Sequence, residues 1–185
     1  HDLKNKLIGI YGIEDDNELI RTKIKEIIGE LEDSKKNLYT DNCILNSVLN
    51  IKYSAAQVAD IKIESNIFVP KYMNIDYGDM GVLFGNLLDN AIEANQGVDR
   101  KKRWINVSVK YEEHILIINI KNSKIRGSRR KKKGYLNHGI GLNSVKQIVE
   151  KFNGIVEVQD FGEMYEVSAI LYGICDDKDL GKRVL

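Results

Sequence analysis

Apolar side chains recur along the first part of the chain at the spacing of an α-helix. Two runs repeat every three or four positions, first Leu3, Leu7 and Ile10 and then Ile20, Ile24, Ile27 and Leu31. Residues spaced in this way share one helix face, so the pattern predicts two helices joined by the acidic stretch GIEDDNE. A helical hairpin over 1–38 has little else to cover these faces, so we expect two copies to form a four-helix bundle.

Beyond residue 40, helical and strand periods alternate. The pattern predicts a helix over 41–59, a strand over 61–69, a helix capped by Asp76, and two strands joined at 112–114, the second of them (115–120) apolar enough to be central. A loop over 124–137, a helix stopped by Asn153 and Gly154, and two final strands joined by DFGE follow. We therefore expect a mixed domain over 39–175 and a tail over 176–185.

The composition is that of an ordinary soluble protein, with 43% apolar and 30% charged residues and a net charge of +1. Two cysteines, Cys43 and Cys175, are too few for a disulfide scaffold and favour a reducing, cytoplasmic setting. The longest purely apolar run, ILII, is far shorter than the roughly 20 residues of a membrane helix.

One loop concentrates the basic charge. RGSRRKKKG, residues 126–134, carries six arginines and lysines. The run has three interpretations: a lid over ATP, a patch that binds nucleic-acid phosphates without sequence preference, or a solvated loop. Tyr135 is the sole aromatic residue next to it, which is poor for stacking bases. We expect no nucleic-acid partner.

The helix after Asp76 contains FGNLLDNAIEAN, residues 84–95, in which asparagine recurs although it is a poor helix former. Asn86, Asn90 and Glu93 fall in one narrow stripe of this helix. The opposite side carries the apolar residues Phe84, Leu88 and Ala91. Two amide oxygens one turn apart suit Mg²⁺, which is usually held by a few protein groups together with nucleotide phosphates. The alternative is a surface helix that happens to expose asparagines.

Gly139 and Gly141 come directly before a second amphipathic helix. Glycine lets the backbone approach phosphate oxygens, and the positive end of the following helix favours an anion. An ordinary helix entry has the same pattern. The pair lacks the preceding strand of a Rossmann fingerprint and the lysine of a P-loop, so both of those nucleotide-binding folds are disfavoured.

Taken in order, the asparagine helix, the buried strand ending at Asn122, the long loop and the glycine turn resemble the GHKL ATPase superfamily over about residues 60–172. NLLDNAIEAN is similar to its N box and HGIGLNSV to its second glycine box. The resemblance implies an α+β fold, a two-layer Bergerat-type sandwich with a mixed sheet and helices on one face, that binds ATP and Mg²⁺. It implies that Asn90 and Asn86 hold the metal beside the phosphates, with further nucleotide contacts from Glu93, Asn122, His138, Gly139, Ile140, Gly141 and Leu142.

Asn122 marks a departure from most histidine kinases of this superfamily. They carry at this place an aspartate, followed by glycines, that binds the adenine amino group. An amide oxygen can accept the same hydrogen bond, but without the charge of a carboxylate. The departure therefore bears on adenine affinity and selectivity.

HDLKNKL, residues 1–7, resembles the phosphoacceptor box of sensor histidine kinases, particularly those that read peptide signals. His1 lies away from the apolar seam of its helix and so faces solvent. The resemblance implies that His1 receives the γ-phosphoryl group, that Asp2 orients or deprotonates the imidazole, and that Asn5 positions water for dephosphorylation. The alternative is that His1 is left over from an affinity tag.

The same resemblance implies partners. It predicts a homodimer that passes the phosphoryl group to an aspartate of a response-regulator receiver domain. Because the sequence begins without methionine, we expect a fragment whose upstream part is missing. The resemblance implies that this fragment is cytoplasmic and that the upstream part includes a membrane sensor region. Two alternatives stay open: a dimeric module that binds ATP but transfers nothing, and an anti-sigma serine kinase of the same superfamily.

Overall fold

The computed structural model describes residues 37–126 and 140–176. The chain divides between Asn37 and Leu38, and the fold below is that of the second unit. The predicted hairpin with His1, Asp2 and Asn5 lies outside the described residues, as do His138, Gly139 and most of the basic loop and the tail. The predictions made for them, and the predicted domain boundaries, stay predictions.

Helices and strands alternate along the described residues much as the sequence predicts. The helices are α1 (Cys43–Val58), α2 (Tyr77–Asn95) and α3 (Ile140–Lys151). The strands are β1 (Lys62–Phe68), β2 (Trp104–Glu112), β3 (Ile115–Ser123), β4 (Ile155–Asp160) and β5 (Met164–Tyr172). A 3-10 turn, Arg100–Lys102, precedes β2 and was not predicted. No helix of this part of the chain is long and apolar enough to cross a membrane.

The strands form one mixed sheet in the order β1-β2-β3-β5-β4. β1 runs parallel to β2, and the other neighbouring strands are antiparallel. Side chains alternate between the two faces. On β2, β3 and β5, those toward the helices are buried, among them Ile105, Val107, Ile118, Ile120 and Ala169. Exposed residues such as Ile117 lie on the other face. The predicted α+β, two-layer fold with a central β3 is confirmed.

α2 is the central helix of the helical layer and carries the largest share of its buried apolar side chains. The Asp76 carboxylate accepts a hydrogen bond from the backbone N–H of Gly78 at 2.8 Å, so the predicted N-cap is confirmed. α2 packs against α1 on one side and α3 on the other, and against β2 and β3 below. Its inward side chains are buried, including Met80, Leu83, Phe84, Leu87 and Leu88.

α3 lies antiparallel to α2, which decides what its first turn meets. Near its end, the Lys151 ammonium group lies 2.8 Å from the Asp79 carboxylate in the first turn of α2. At its start, Gly141 lies against Asn86, halfway along α2. The end of α3 follows the predicted stop, since Asn153 has a left-handed φ of 50° and Gly154 N–H donates to the Val149 carbonyl at 2.9 Å.

Candidate functional site

The two predicted metal-binding asparagines lie on the side of α2 that faces away from the core. Asn86 and Asn90 are both half-buried, and the Asn90 Nδ2 atom is withdrawn from solvent. Phe84, Leu88 and Ala91 on the opposite side are at most 1% exposed. The sequence therefore predicts correctly which side of α2 faces the core. The amides of Asn86 and Asn90 lie at the edge of that core.

Gly141 is packed closely against the first of these asparagines. A Cβ atom built on Gly141 would lie 3.4 Å from Asn86 Oδ1 and 3.6 Å from its Cγ. The start of α3 therefore lies next to the amide of Asn86, with room for no more than an ordinary contact between them. Since Ile140 and Gly141 begin α3, its positive end points into the space beside α2. Leu142, the next residue, is half-buried.

Glu93 follows Asn90 in the last turn of α2, and its side chain is exposed to solvent. Its backbone carbonyl accepts a hydrogen bond from Gln96 N–H at 3.1 Å. The structure thus places Glu93 on the predicted stripe but at the outer end of it. Its role toward a ligand stays a prediction.

Asn122 ends the row of β3 side chains that faces the helices. It follows Leu116, Ile118 and Ile120 in alternation and is 2% exposed. Its Nδ2 donates to the Ser123 carbonyl at 2.9 Å. Because a carbonyl only accepts, this hydrogen bond orients the amide with Nδ2 toward Ser123. The role of Asn122 toward a ligand stays a prediction.

Asn95 is a residue of this region to which the sequence analysis assigned no role. It is 0% exposed and ends α2 beneath the last turn. Its Nδ2 donates to the Ala91 carbonyl at 2.9 Å and the Trp104 carbonyl at 3.3 Å. Its Oδ1 accepts from the Ser123 hydroxyl at 2.5 Å and from Trp104 N–H at 3.2 Å. Its helical phase was the available signal, because Asn95 lies one turn after the buried Ala91.

A cleft of 660 Å³ opens next to the predicted ligand-binding asparagines, but they do not line it. It lies between the turn after α2, the end of β3 and the turn between β4 and β5, and its lining includes Val98, Trp104, Ser123, Ile125, Arg126 and Met164. Asn86, Asn90 and Asn122 do not line it. The geometry of the predicted site therefore rests on the contact between α2 and α3 and not on this cleft.

The donor set suits a hard cation better than a soft one. Among the described residues, no group of three or more histidine, cysteine or acidic side chains could hold a metal ion. Asn86 and Asn90 instead offer neutral amide oxygens one helical turn apart. Mg²⁺ accepts such oxygen ligands and keeps its remaining positions for water and phosphate. The residues present therefore fit a magnesium ion that arrives with a polyphosphate.

The fold and these residues define a class: a two-layer sandwich with a candidate polyphosphate site where the start of α3 meets the asparagines of α2. A comparison with known protein families matches residues 75–171, just over half of the chain, to the GHKL domain. The chain therefore belongs to the GHKL domain family. The family resemblance inferred from the sequence is confirmed.

Solved structures share the fold at low sequence identity. The catalytic domain of the histidine kinase ThkA is 15% identical with a TM-score of 0.56, over 71% of this chain and 91% of that one. The Acinetobacter baumannii histidine kinase AdeS is 16% identical with a TM-score of 0.55, over 92% and 93%. Full-length ShkA in complex with AMPPNP is 13% identical with a TM-score of 0.56, over 80% and 34%. No curated protein matches the chain.

Proposed function

We propose that this chain is the catalytic part of a sensor histidine kinase that transfers the γ-phosphoryl group of ATP to His1. The observation that carries the proposal is the packing of Gly141 against Asn86. It brings the start of α3 to the amide of Asn86, and Asn90 follows one turn later on α2, which suits a polyphosphate with its metal. Membership of the GHKL family and the fold shared with histidine kinase catalytic domains support it.

The described residues would act by positioning and electrostatic stabilisation, because phosphoryl transfer asks little covalent chemistry of a protein. Asn90 and Asn86 would hold a magnesium ion, which would supply positive charge beside the phosphates. Backbone N–H groups around 139–142 bind the phosphate tail. The Asn122 oxygen accepts a hydrogen bond from the adenine amino group. The complex of full-length ShkA, which shares this fold over part of its length, with AMPPNP supports a nucleotide as the ligand.

His1 is the nucleophile in this proposal. An imidazole nitrogen attacks the γ-phosphorus, the bond from that phosphorus to the bridging oxygen breaks, and ADP leaves. Asp2 accepts the imidazole proton or orients the ring. The phosphoryl group then moves to an aspartate carboxylate of a receiver domain, and Asn5 positions water for dephosphorylation. The hairpin over 1–38 would form the homodimer, and a membrane sensor region would lie upstream of a cytoplasmic kinase.

Incubation of the full chain with γ-labelled ATP and Mg²⁺ tests the proposal. We expect label on the protein that is lost in acid and kept in base, as a phosphohistidine is. His1→Gln should remove it, and Asn90→Ala should lower both labelling and Mg-dependent nucleotide binding by roughly tenfold or more. Asn50→Ala is the matched control, because Asn50 also lies half-buried on a helix, where it donates to the Asn46 carbonyl at 2.8 Å.

The other outcomes point to the alternatives. Nucleotide binding without label would favour the silent ATP-binding module. Acid-stable label on a partner protein would favour the anti-sigma serine kinase. A folded protein that ignores millimolar ATP would contradict every version of the proposal.

A further inference from the structure

We infer that the hydrogen bond between Asn95 and Ser123 sets the spacing between the two halves of the nucleotide site. This inference rests on the proposed function. The phosphate half consists of Asn86 and Asn90 on α2, and the base half is Asn122 on β3. Neither Asn95 nor Ser123 is assigned to the ligand itself, so both are positioning residues.

Each partner is rigidly joined to one half of the site. Asn95 lies five residues after Asn90 on the same continuous helix, and Ser123 directly follows Asn122 on β3. The Ser123 hydroxyl donates to Asn95 Oδ1 at 2.5 Å. If α2 shifted along the sheet, this hydrogen bond would therefore lengthen, whereas the spacing between Asn86 and Asn90 on α2 and the position of Asn122 on β3 would stay the same.

The bond sits inside a network that leaves it little freedom. Trp104 N–H, at the start of β2, donates both to Asn95 Oδ1 at 3.2 Å and to the Ser123 hydroxyl at 3.1 Å. On the other side of Ser123, Lys124 N–H donates to the Glu163 carbonyl before β5 at 2.9 Å. Asn95 is 0% and Ser123 5% exposed, so water competes little for these groups. The end of β3 is fixed to the sheet, and Asn95 joins it to α2.

Packing alone would not fix the register of α2 on the sheet as closely. Phe84 and Leu88 meet the sheet through apolar contacts, which are favourable but not directional. A hydrogen bond depends steeply on distance and angle. A site that must hold a base and a phosphate tail at once needs its parts placed to within about 0.5 Å. The Asn95–Ser123 bond supplies that directional element.

A ligand that spans both halves should depend on this spacing, whereas a ligand that occupies one half should not. Joining two weak contacts in one molecule raises affinity only when the protein presents both at the matching distance. ATP with Mg²⁺ is the spanning ligand. Adenosine and magnesium tripolyphosphate are the separate parts.

The test is Ser123→Ala in the full chain, with the three ligands titrated separately by calorimetry or by NMR. We expect the Kd for Mg-ATP to rise roughly tenfold, because the direct hydrogen bond between α2 and the end of β3 is lost and only the bonds of Asn95 to Trp104 remain. The Kd values for adenosine and for magnesium tripolyphosphate should stay within about twofold of the unmodified protein. If Ser123 only stabilised the fold, Ser123→Ala would raise the Kd values for all three ligands alike.

Ser168→Ala is the matched control. Ser168 is also a strand serine whose hydroxyl meets an asparagine, accepting from Asn119 Nδ2 at 2.8 Å, but on the face of the sheet away from the helices. It should leave all three Kd values unchanged. Ser123→Cys keeps the shape with a weaker donor, and replaces Ser123→Ala if that variant does not fold.

Two results would overturn the inference: unchanged Mg-ATP affinity in both Ser123 variants, or an equal loss for all three ligands. Failure of the unmodified protein to bind Mg-ATP would instead overturn the proposed function. The two failures are therefore distinguishable within one set of titrations.

Discussion

The hydroxyl group of Tyr53 shows how strongly the protein interior acts on a single side chain. Tyr53 lies on the inner side of α1, 7% exposed, with its ring edge-on to that of Tyr39 at a centroid distance of 4.7 Å. Burial raises the pKa of Tyr53 to about 12, and the nearby Ser65 hydroxyl offsets part of the rise. The neutral phenol is therefore favoured in the folded protein more than in the unfolded chain.

This pKa predicts a loss of stability in alkali. The pKa of Tyr53 is 10.0 in the unfolded reference and about 12 when folded, so its contribution is complete below pH 10 and is lost as pH rises toward 12. Between pH 9 and 11 the free energy of unfolding should fall by about 1.3 kcal/mol through this group alone. Tyr53→Phe should remove that part of the fall, measured by urea unfolding at both pH values.

Tyr72→Phe provides the comparison for this experiment, because Tyr72 is 49% exposed. It should leave the alkaline fall as it is in the unmodified protein. If Tyr53→Phe and the unmodified protein lost the same free energy between the two pH values, burial would not be the cause.

At the scale of elements, two glycines at opposite ends of α3 have different roles. Gly141 is the second residue of the helix, and Gly154 lies three positions after its last residue. A Cβ on Gly154, after the helix, would lie 2.1 Å from the Ile170 carbonyl oxygen and 2.6 Å from Val149 Cγ1. A Cβ on Gly141 would instead meet Asn86 Oδ1 at 3.4 Å, an ordinary contact. Gly154 therefore allows the end of α3 to pack on β5, and Gly141 keeps open the space beside Asn86 and Asn90.

The two glycines predict opposite effects of alanine. Gly154→Ala should lower the free energy of unfolding by about 2–3 kcal/mol, since backbone must move to make room. Gly141→Ala should fold with a change in stability of about 1 kcal/mol or less, but should weaken Mg-ATP binding because a methyl group stands where phosphate approaches. Denaturant unfolding and nucleotide titration of both variants separate the effects. The reverse pattern would mean that Gly141 is a packing glycine.

At the scale of the whole molecule, the core belongs to one unit. Its described buried residues run from Leu45 on α1 to Ile174 after β5, and they form a single cluster. α2 connects the residues of this cluster, because it contacts both other helices and the strands β2 and β3. Asn86 and Asn90 therefore lie at the edge of this core, on the helix that connects it, and not on a separate element.

Periodicity explains how much of this could be predicted from the sequence. Helices, strands, the Asp76 cap and the outward phase of Asn86 follow from local spacing, and all are as expected. Three-dimensional register does not follow from spacing. The position of β5 between β3 and β4, and the meeting of Gly141 with Asn86, depend on packing between distant segments. The helical phase of Asn95 indicates that it is buried, but its hydrogen bonds to Ser123 and Trp104 depend on packing between segments that are distant in the sequence.

A single core within residues 38–185 predicts that this segment folds and binds nucleotide without residues 1–37. Its Kd for Mg-ATP should stay within about twofold of the full chain, because Asn86, Asn90, Asn122 and Gly141 all lie inside it. A saturating nucleotide at 100 times its Kd should stabilise the segment by about 2.7 kcal/mol, seen as a higher melting temperature that EDTA lowers again. The segment should take no label from γ-labelled ATP, because His1 is missing. An unfolded segment, or one that binds Mg-ATP tenfold more weakly, would mean that residues 1–37 contribute to the core or to the nucleotide site.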